Sequence, residues 1–567
     1  MCGSSTPNPP LPATRADGSA MSLLTSSRPF APRVALLAPL LAGALLVPAC
    51  TVDPERVALP DAASDPAAAG TTGGDQLTPD RSPMTITRAD VDQAIERFVP
   101  IAEQAVADGQ VPGMAIGVVY DDEVVWTEGF GVRKVGEPDE VGADTVFQIA
   151  SLSKAVGSTV VAGLVGRGAL DWDDPVVQHT PEFALADPWV SEHVTVADLY
   201  SHRSGLPDHG GDLLEDLGYD RATILERLRL LPLDDFRSSY HYTNFGLTQG
   251  ALAAAAAAGG EWEDLSETVL YEPAGMVDTS SRFADYESSP RRAWTHVQDE
   301  DGSWAARYVR QPDAQTPAGG VSSTVADLAQ WMRLELANGT LDGNEIIDGA
   351  AMDQTHTPHG LSGFLRSPDS RVGSYGLGFN LGTDGAGRQR WSHSGAFALG
   401  AGTSFTMVPA ERLGVVVLTN GMPTGVAESM TETFLDLVLE GEITRDWMAL
   451  YGPSFQQMLH PEVEVDYSVV PDDATPAREL SEYVGTYDND FYGPVDVTSV
   501  DGVLMLAIGP KGERLELSHF DGDTFSTMPA GENATGLTGV IFDPDAEVPT
   551  VRIEYLDEQG LGTFTRP

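Results

Sequence analysis

The hydrophobic pattern changes period several times along this chain. From Val91 to Val106, V-D-Q-A-I-E-R-F-V-P-I-A-E-Q-A-V places apolar residues on one side of a 3.6-residue repeat, which predicts an amphipathic helix. Residues 114–131, M-A-I-G-V-V-Y-D-D-E-V-V-W-T-E-G-F-G, read as two apolar strands around an Asp-Asp turn. Long helices are then expected to dominate up to about residue 280. Near residue 390 the pattern returns to strands, in R-W-S-H-S-G-A, T-S-F-T-M-V-P and L-G-V-V-V-L-T-N. Their close spacing predicts an antiparallel meander. S-M-T-E-T-F-L-D-L-V-L-E then gives a closing helix. This order predicts an α/β sandwich with an antiparallel sheet and an inserted all-α lobe, spanning 88–440. A bridging segment with Trp447 and Tyr451 occupies 441–475. Residues 476–567 alternate in strand fashion with Asp-Gly turns at 501–502 and 521–522, which predicts a small all-β barrel-like or sandwich domain.

The first 87 residues follow neither pattern. From Met21 the text reads as a secretory signal: Arg28 and Arg33, an apolar run from Val34 to Val47, then V-P-A-C. The run is too short to span a bilayer as a helix. Ala49 before Cys50 resembles a bacterial lipobox, whose cysteine is lipidated and becomes the mature N-terminus; simple cleavage and release is the alternative. On this reading 1–49 is the signal region, with Met21 as its start. Residues 50–87, rich in Asp, Pro, Ala, Gly and Thr, are a flexible linker after lipidated Cys50. Such a tether spans on the order of 30 Å. The protein is then exported and anchored by lipid to the outer face of the cytoplasmic membrane, or secreted.

Composition narrows the partners. The chain has 567 residues, 42% of them hydrophobic, enough for more than one core. A net charge of −51 repels nucleic acid phosphates and anionic head groups, so neither is expected as a partner. Cys2 and Cys50 are the only cysteines, without metal-type spacing.

The chemistry starts from an economy of lysine. Only Lys134, Lys154 and Lys511 occur among 33 Lys plus Arg. Lys154 stands three residues after Ser151 in I-A-S-L-S-K-A-V-G-S, and on a helix these two share a face. A serine hydroxyl is a poor nucleophile until a base takes its proton. A desolvated lysine can lose its charge and act as that base, whereas arginine cannot. In the first helical turn Ser151 would also face unpaired helix N–H groups. A second element is Tyr242-Thr243-Asn244. A tyrosine beside a cation is expected to have a lowered pKa and to serve as a base, and Asn244 can hydrogen-bond a substrate amide or the lysine. Tyr487-Asp488-Asn489 repeats the spacing and reads as a turn in the β-domain. The third element is His393-Ser394-Gly395 on a predicted strand. His393 can donate to a substrate carboxylate or support the tyrosine, and Gly395 would let a substrate backbone lie against the strand edge.

In this order, S-x-x-K, Y-x-N and H-S-G resemble the serine β-lactamase and penicillin-binding family. The tyrosine in the middle element is similar to the branch of class C β-lactamases, D-alanyl-D-alanine carboxypeptidases, D-aminopeptidases and esterases. L-Y-S-H-R-S-G-L-P (199–207) and P-A-G-G-V-S-S-T-V-A-D-L-A (317–329) look like landmarks of that branch. The C-terminal domain resembles the lipocalin-like domain some members append. The resemblance implies that Ser151 is acylated, that Lys154 and Tyr242 share the proton transfers, and that Asn244, Ser394 and Gly395 bind substrate. It also implies an oxyanion hole from the backbone N–H groups of Ser151 and Ala396, and no metal or cofactor. β-Lactamases carry lysine where His393 stands. A small ester or a D-amino-acid peptide or amide is therefore ranked above a β-lactam as substrate. A β-lactamase, a D-alanyl-D-alanine carboxypeptidase and a penicillin-binding sensor that acylates and stalls remain open. A metallo-hydrolase built on His202, Asp208, His209 and Asp212, or on His356 and His359, is the remote alternative.

Overall fold

The computed structural model describes residues 85–363, 371–461 and 463–566. The signal region, Cys50 and nearly all of the linker lie outside the described residues.

The first helix, α1 (Arg88–Ala107), opens with a capping box between Thr87 and Asp90. The hairpin follows as β1 (Gly113–Tyr120) and β2 (Glu123–Gly131). Asp121 and Asp122 both take positive φ, +50° and +66°, the conformation a tight two-residue hairpin turn requires. Two 15-residue helices carry the lobe: α2 (Leu152–Gly166), buried from Leu152 to Leu164, and α4 (Asn244–Ala258), stopped by Gly259 at φ +71°. Between them the expected long helices are short. Five of four to seven residues occupy 176–227, among them α3 (Asp212–Asp216). The apolar content there is continuous, but Pro188 starts one helix, and Gly211 and Gly218, at φ +101° and +93°, bound α3.

After α5 (Val325–Leu336) come β3 (Gly360–Leu361), β4 (Ser374–Tyr375), β5 (Asn380–Thr383), β6 (Gln389–Phe397), β7 (Ala401–Val408) and β8 (Leu413–Thr419), then α6 (Val426–Leu439). The sheet order is β2-β1-β8-β7-β6-β5-β4-β3, antiparallel throughout. Strand alternation divides its residues between two cores. Met114, Ile116, Val415 and Val417 face α1 and α6, where Phe98 meets Phe434 edge-on at 5.4 Å. Ala115, Val119, Val416 and Leu418 face α2, α5 and the lobe.

The helix α7 (Trp447–Leu459) lies in the bridging segment and ties back to α6 through Trp447 Nε1 and Asp436, 2.8 Å apart. The C-terminal domain is an eight-stranded antiparallel meander. Its strands are β9 (Gly485–Tyr487), β10 (Val495–Val500), β11 (Val503–Ile508), β12 (Glu513–Asp521), β13 (Thr524–Thr527), β14 (Thr538–Asp543), β15 (Thr550–Ile553) and β16 (Thr563–Thr565). Asp488 and Thr565 exchange two backbone hydrogen bonds, 2.7 and 2.9 Å, which bring the first strand to the last and nearly close a barrel. The second Y-x-N has a local role here: Asn489 accepts from Phe491 N and Tyr492 N, and the Tyr487 hydroxyl bonds Tyr483 O.

Candidate active site

The turn before α2 holds Ser151. Ala150 has φ +46°, a left-handed backbone that costs energy for a residue with a Cβ. The turn is pinned to the sheet by Thr403 of β7, whose hydroxyl donates to Ile149 O at 2.9 Å. Ser151 N–H has no partner in the main chain among the described residues.

Lys154, one helical turn on, is fully buried. Its Nζ donates to Asn244 Oδ1 at 2.7 Å and Ala318 O at 2.9 Å, and lies 3.1 Å from Ser151 Oγ. Burial pulls this amine down to about 7, against the opposing charge of Asp212. The orientation of Asn244 follows from its other contact: Nδ2 donates to Asp212 Oδ2 at 2.7 Å, and a carboxylate accepts only from the amide nitrogen. The same carboxylate oxygen accepts from His209 Nδ1 at 3.0 Å. Burial opposes a charge on His209, but its bond to Asp212 and the charges of Asp212 and Asp208 together outweigh this and raise the imidazole.

Tyr242 sits against this pair with its ring face 4.5 Å from Lys154 Nζ. The expected lowering of its pKa is reversed. Burial drives the phenol well above its ordinary 10, and the influence of the Ser151 hydroxyl recovers only part. Burial keeps Tyr242 protonated, and the group able to shed its charge near neutral pH is Lys154.

On β6, His393 is buried and neutral. Burial, then the charge of Lys154, pushes it down to about 3. Nδ1 faces Ser394 O at 2.6 Å, and a carbonyl only accepts, so Nδ1 carries the proton and Nε2 accepts from the Tyr375 hydroxyl at 2.9 Å. The histidine therefore brings no positive charge to a substrate carboxylate. Ser394, expected to bind substrate, instead donates to Glu428 of α6, across the sheet from α2. Burial lifts that carboxyl to about 7. Gly395 has a reason other than substrate access. A Cβ there would meet Thr403 Oγ1 at 2.4 Å, Ile149 O at 2.7 Å and Ser151 N at 2.9 Å. Glycine lets the strand lie on the turn that holds Ser151. β5 stops pairing at Asn380 opposite Ser392, which leaves His393 to Phe397, Ala396 included, on an edge with β7 as the only strand neighbour among the described residues. The site gathers Ser151, Lys154, Tyr242, Asn244 and His393. It adds Asp212, Tyr375 and Ala318, which sequence reasoning did not assign to it. Ala318 stood in plain view within P-A-G-G, but a backbone carbonyl leaves no residue-type signal.

Two histidines of the metal alternative, His202 and His356, have partners outside it. His202 Nδ1 faces Thr243 N at 3.2 Å, and His356 stacks on Trp391 with centroids 3.5 Å apart. Among the described residues no group of three or more His, Cys, Asp or Glu is arranged to hold a metal ion.

Comparison with known proteins agrees with this geometry. The model of the Beta-lactamase family matches residues 98–440, and a domain of unknown function, DUF3471, matches 471–561. Unguisins hydrolase ungD of Aspergillus violaceofuscus is 26% identical over 74% of this chain and 80% of its own. The D-alanyl-D-alanine-carboxypeptidase/endopeptidase AmpH of Escherichia coli K12 is 24% identical over 58% of this chain and 84% of its own. The octameric penicillin-binding protein homologue from Pyrococcus abyssi superposes with a TM-score of 0.53 at 19% identity, over 83% of this chain and all of its own, a likeness of fold. The chain belongs to the Beta-lactamase family and is a serine hydrolase of the β-lactamase and penicillin-binding type.

Proposed function

We propose that the protein is an exported hydrolase that forms a Ser151 acyl-enzyme with small esters or D-amino-acid peptides and amides. The observation that carries this is the hydrogen bonding of Lys154. A neutral amine has two N–H bonds and one lone pair. Asn244 Oδ1 and Ala318 O are acceptors only, so they take both N–H bonds. The lone pair is left for the third neighbour, the hydroxyl of Ser151.

Lys154 takes the Ser151 proton as Oγ attacks the carbonyl. Backbone N–H groups of Ser151 and Ala396 receive the oxyanion. The proton passes to the leaving group from the Lys154–Tyr242 pair as the tetrahedral adduct collapses, and water repeats the steps in reverse to free the acid. Asn244 keeps Lys154 aligned and contacts the substrate. The neutral His393 supports the ranking of substrates: with no fixed cation from that position, an acyl donor need not carry a carboxylate. D-peptides stay within this class because one relative is a D-alanyl-D-alanine carboxypeptidase. Export through the 21–49 signal and a lipid on Cys50 would place the enzyme at the cell envelope. Among the described residues no helix is long and apolar enough to cross a membrane.

Intact-mass labelling of the purified protein with a fluorophosphonate, and separately with a penicillin, tests the reading, with Ser151→Ala alongside. A phosphonyl adduct on the wild type that vanishes in the variant is expected. A lasting penicillin adduct would favour a stalled sensor and a rapidly lost one a β-lactamase. No adduct from either probe would remove the acyl-enzyme.

A further inference from the structure

The C-terminal barrel touches both walls of the active site through one short loop. Between β13 and β14, Gly531, Glu532 and Asn533 reach into the hydrolase domain. On one side the loop meets Asp216, the last residue of α3. That carboxylate accepts from Glu532 N at 3.0 Å, Asn533 N at 2.9 Å and Asn533 Nδ2 at 2.9 Å. A Cβ on Gly531 would lie 2.6 Å from Asp216 Cγ, so the approach needs glycine, here at φ +134°. On the other side the Glu532 carboxylate accepts from Ala398 N at 2.5 Å and Leu399 N at 3.3 Å, the first two residues after β6.

These anchors lie next to the chemistry. α3 begins with Asp212, which orients Asn244 and so Lys154. Ala398 is two residues beyond Ala396, and β6 is unpaired there on its outer edge. Nothing from β5 holds this end of the strand, and Glu532 binds the backbone where that support is missing. The carboxylate is 12% exposed and 3.9 Å from Arg310, which is itself buried, bonds Glu215 at 2.5 Å and lies over the Phe397 ring. Two carboxylates around one guanidinium fix the corner between α3 and the end of β6.

We propose that Glu532 is a positioning residue for acyl transfer, holding the backbone beyond β6 so that Ala396 N–H keeps its place relative to Ser151. The C-terminal domain then completes the catalytic geometry. This rests on Ser151 being the acylated nucleophile. A displaced oxyanion donor costs rate more than binding, because the interaction strengthens as charge develops on the carbonyl oxygen.

The test uses the full chain and p-nitrophenyl acetate, with active sites counted by fluorophosphonate. Glu532→Ala is expected to lower kcat by about 10- to 100-fold with KM within about twofold. Glu532→Gln keeps the shape and one acceptor oxygen, and is expected to recover part of the loss. Tyr219→Phe is the control. It removes a bond of 2.7 Å between the hydrolase domain and Tyr492 O of the barrel, away from β6, and kcat should stay unchanged. Equal kcat per titrated site in Glu532→Ala and wild type would overturn the proposal, as would equal losses in Glu532→Ala and Tyr219→Phe. If Glu532→Ala does not fold, Glu532→Gln decides: wild-type kcat overturns the proposal, and a lower kcat at unchanged KM supports it. A wild type that takes no phosphonyl group overturns the Ser151 reading beneath it, a result distinct from labelling at full rate in the variant.

Discussion

Asp212 holds Asn244 by its amide nitrogen at 2.7 Å and thereby turns the amide oxygen toward Lys154. The geometry makes a carboxylate with no contact to Lys154 or Ser151 responsible for how the proposed base, Lys154, is aligned. Asp212→Ala frees the amide to rotate and is expected to lower kcat/KM about 10- to 100-fold. Its charge also raises the Lys154 pKa, so removing it should move the acidic limb of the rate to lower pH. Asp212→Asn separates the effects: an amide oxygen still accepts from Asn244, so the limb moves with a smaller loss of rate. Profiles of kcat/KM from pH 5 to 9 on the three proteins check both.

Lys154 itself sets that limb. With the amine pulled down to about 7, the neutral base is the minor form in acid and the major form above neutrality. The rate of phosphonylation should therefore climb about tenfold per pH unit well below 7 and level off above it. Lys154→Arg keeps length and charge but cannot shed a proton, and is expected to slow labelling by about 10²- to 10⁴-fold at every pH in this range. An arginine variant that labels at the wild-type rate would transfer the role of base to another group.

His393 predicts an absence of pH dependence. A histidine of ordinary pKa would gain charge below about 6.5 and favour carboxylate-bearing acyl donors there. Held down to about 3, it stays neutral throughout. The ratio of kcat/KM for a carboxylate-bearing ester to its uncharged analogue should be flat from pH 5 to 8. A ratio that climbs severalfold toward pH 5 would mean the imidazole is charged.

Much of this was legible in the text of the chain, and the parts that were not share a cause. The Asp-Asp and Asp-Gly turns specify their hairpins locally through positive φ, so β1–β2 and β10–β11 could be read from a few residues. Ser151 and Lys154 are three apart on one helix, and helical period alone sets them on one face. Asp212 reaches Asn244 across 32 residues of loop and short helix, and Glu428 reaches Ser394 across 34. No local rule encodes such contacts. The pKa of Tyr242 failed for a related reason: sequence names the neighbouring cation but not the burial, and burial is the larger effect. The lobe misled in the opposite sense, since continuous apolar content hid the proline and glycine breaks between short helices.

Gly395 gives a prediction in which stability and activity fail together. The added methyl of Gly395→Ala meets Thr403 Oγ1 at 2.4 Å, a side-chain contact, and Ile149 O and Ser151 N at 2.7 and 2.9 Å, both backbone. The hydroxyl could rotate away, but the backbone atoms belong to the turn that holds Ser151. Relief must come from separating β6 from that turn, which moves Ala396 from Ser151. The variant is expected to lose about 1–3 kcal/mol of stability and most of its phosphonylation rate. Thr403→Ala added to it removes the side-chain clash and leaves the backbone ones. The double variant should therefore regain part of the thermal stability, measured by calorimetry, and little of the labelling rate. Full recovery of both would show that Thr403, and not the Ser151 turn, is what the glycine accommodates.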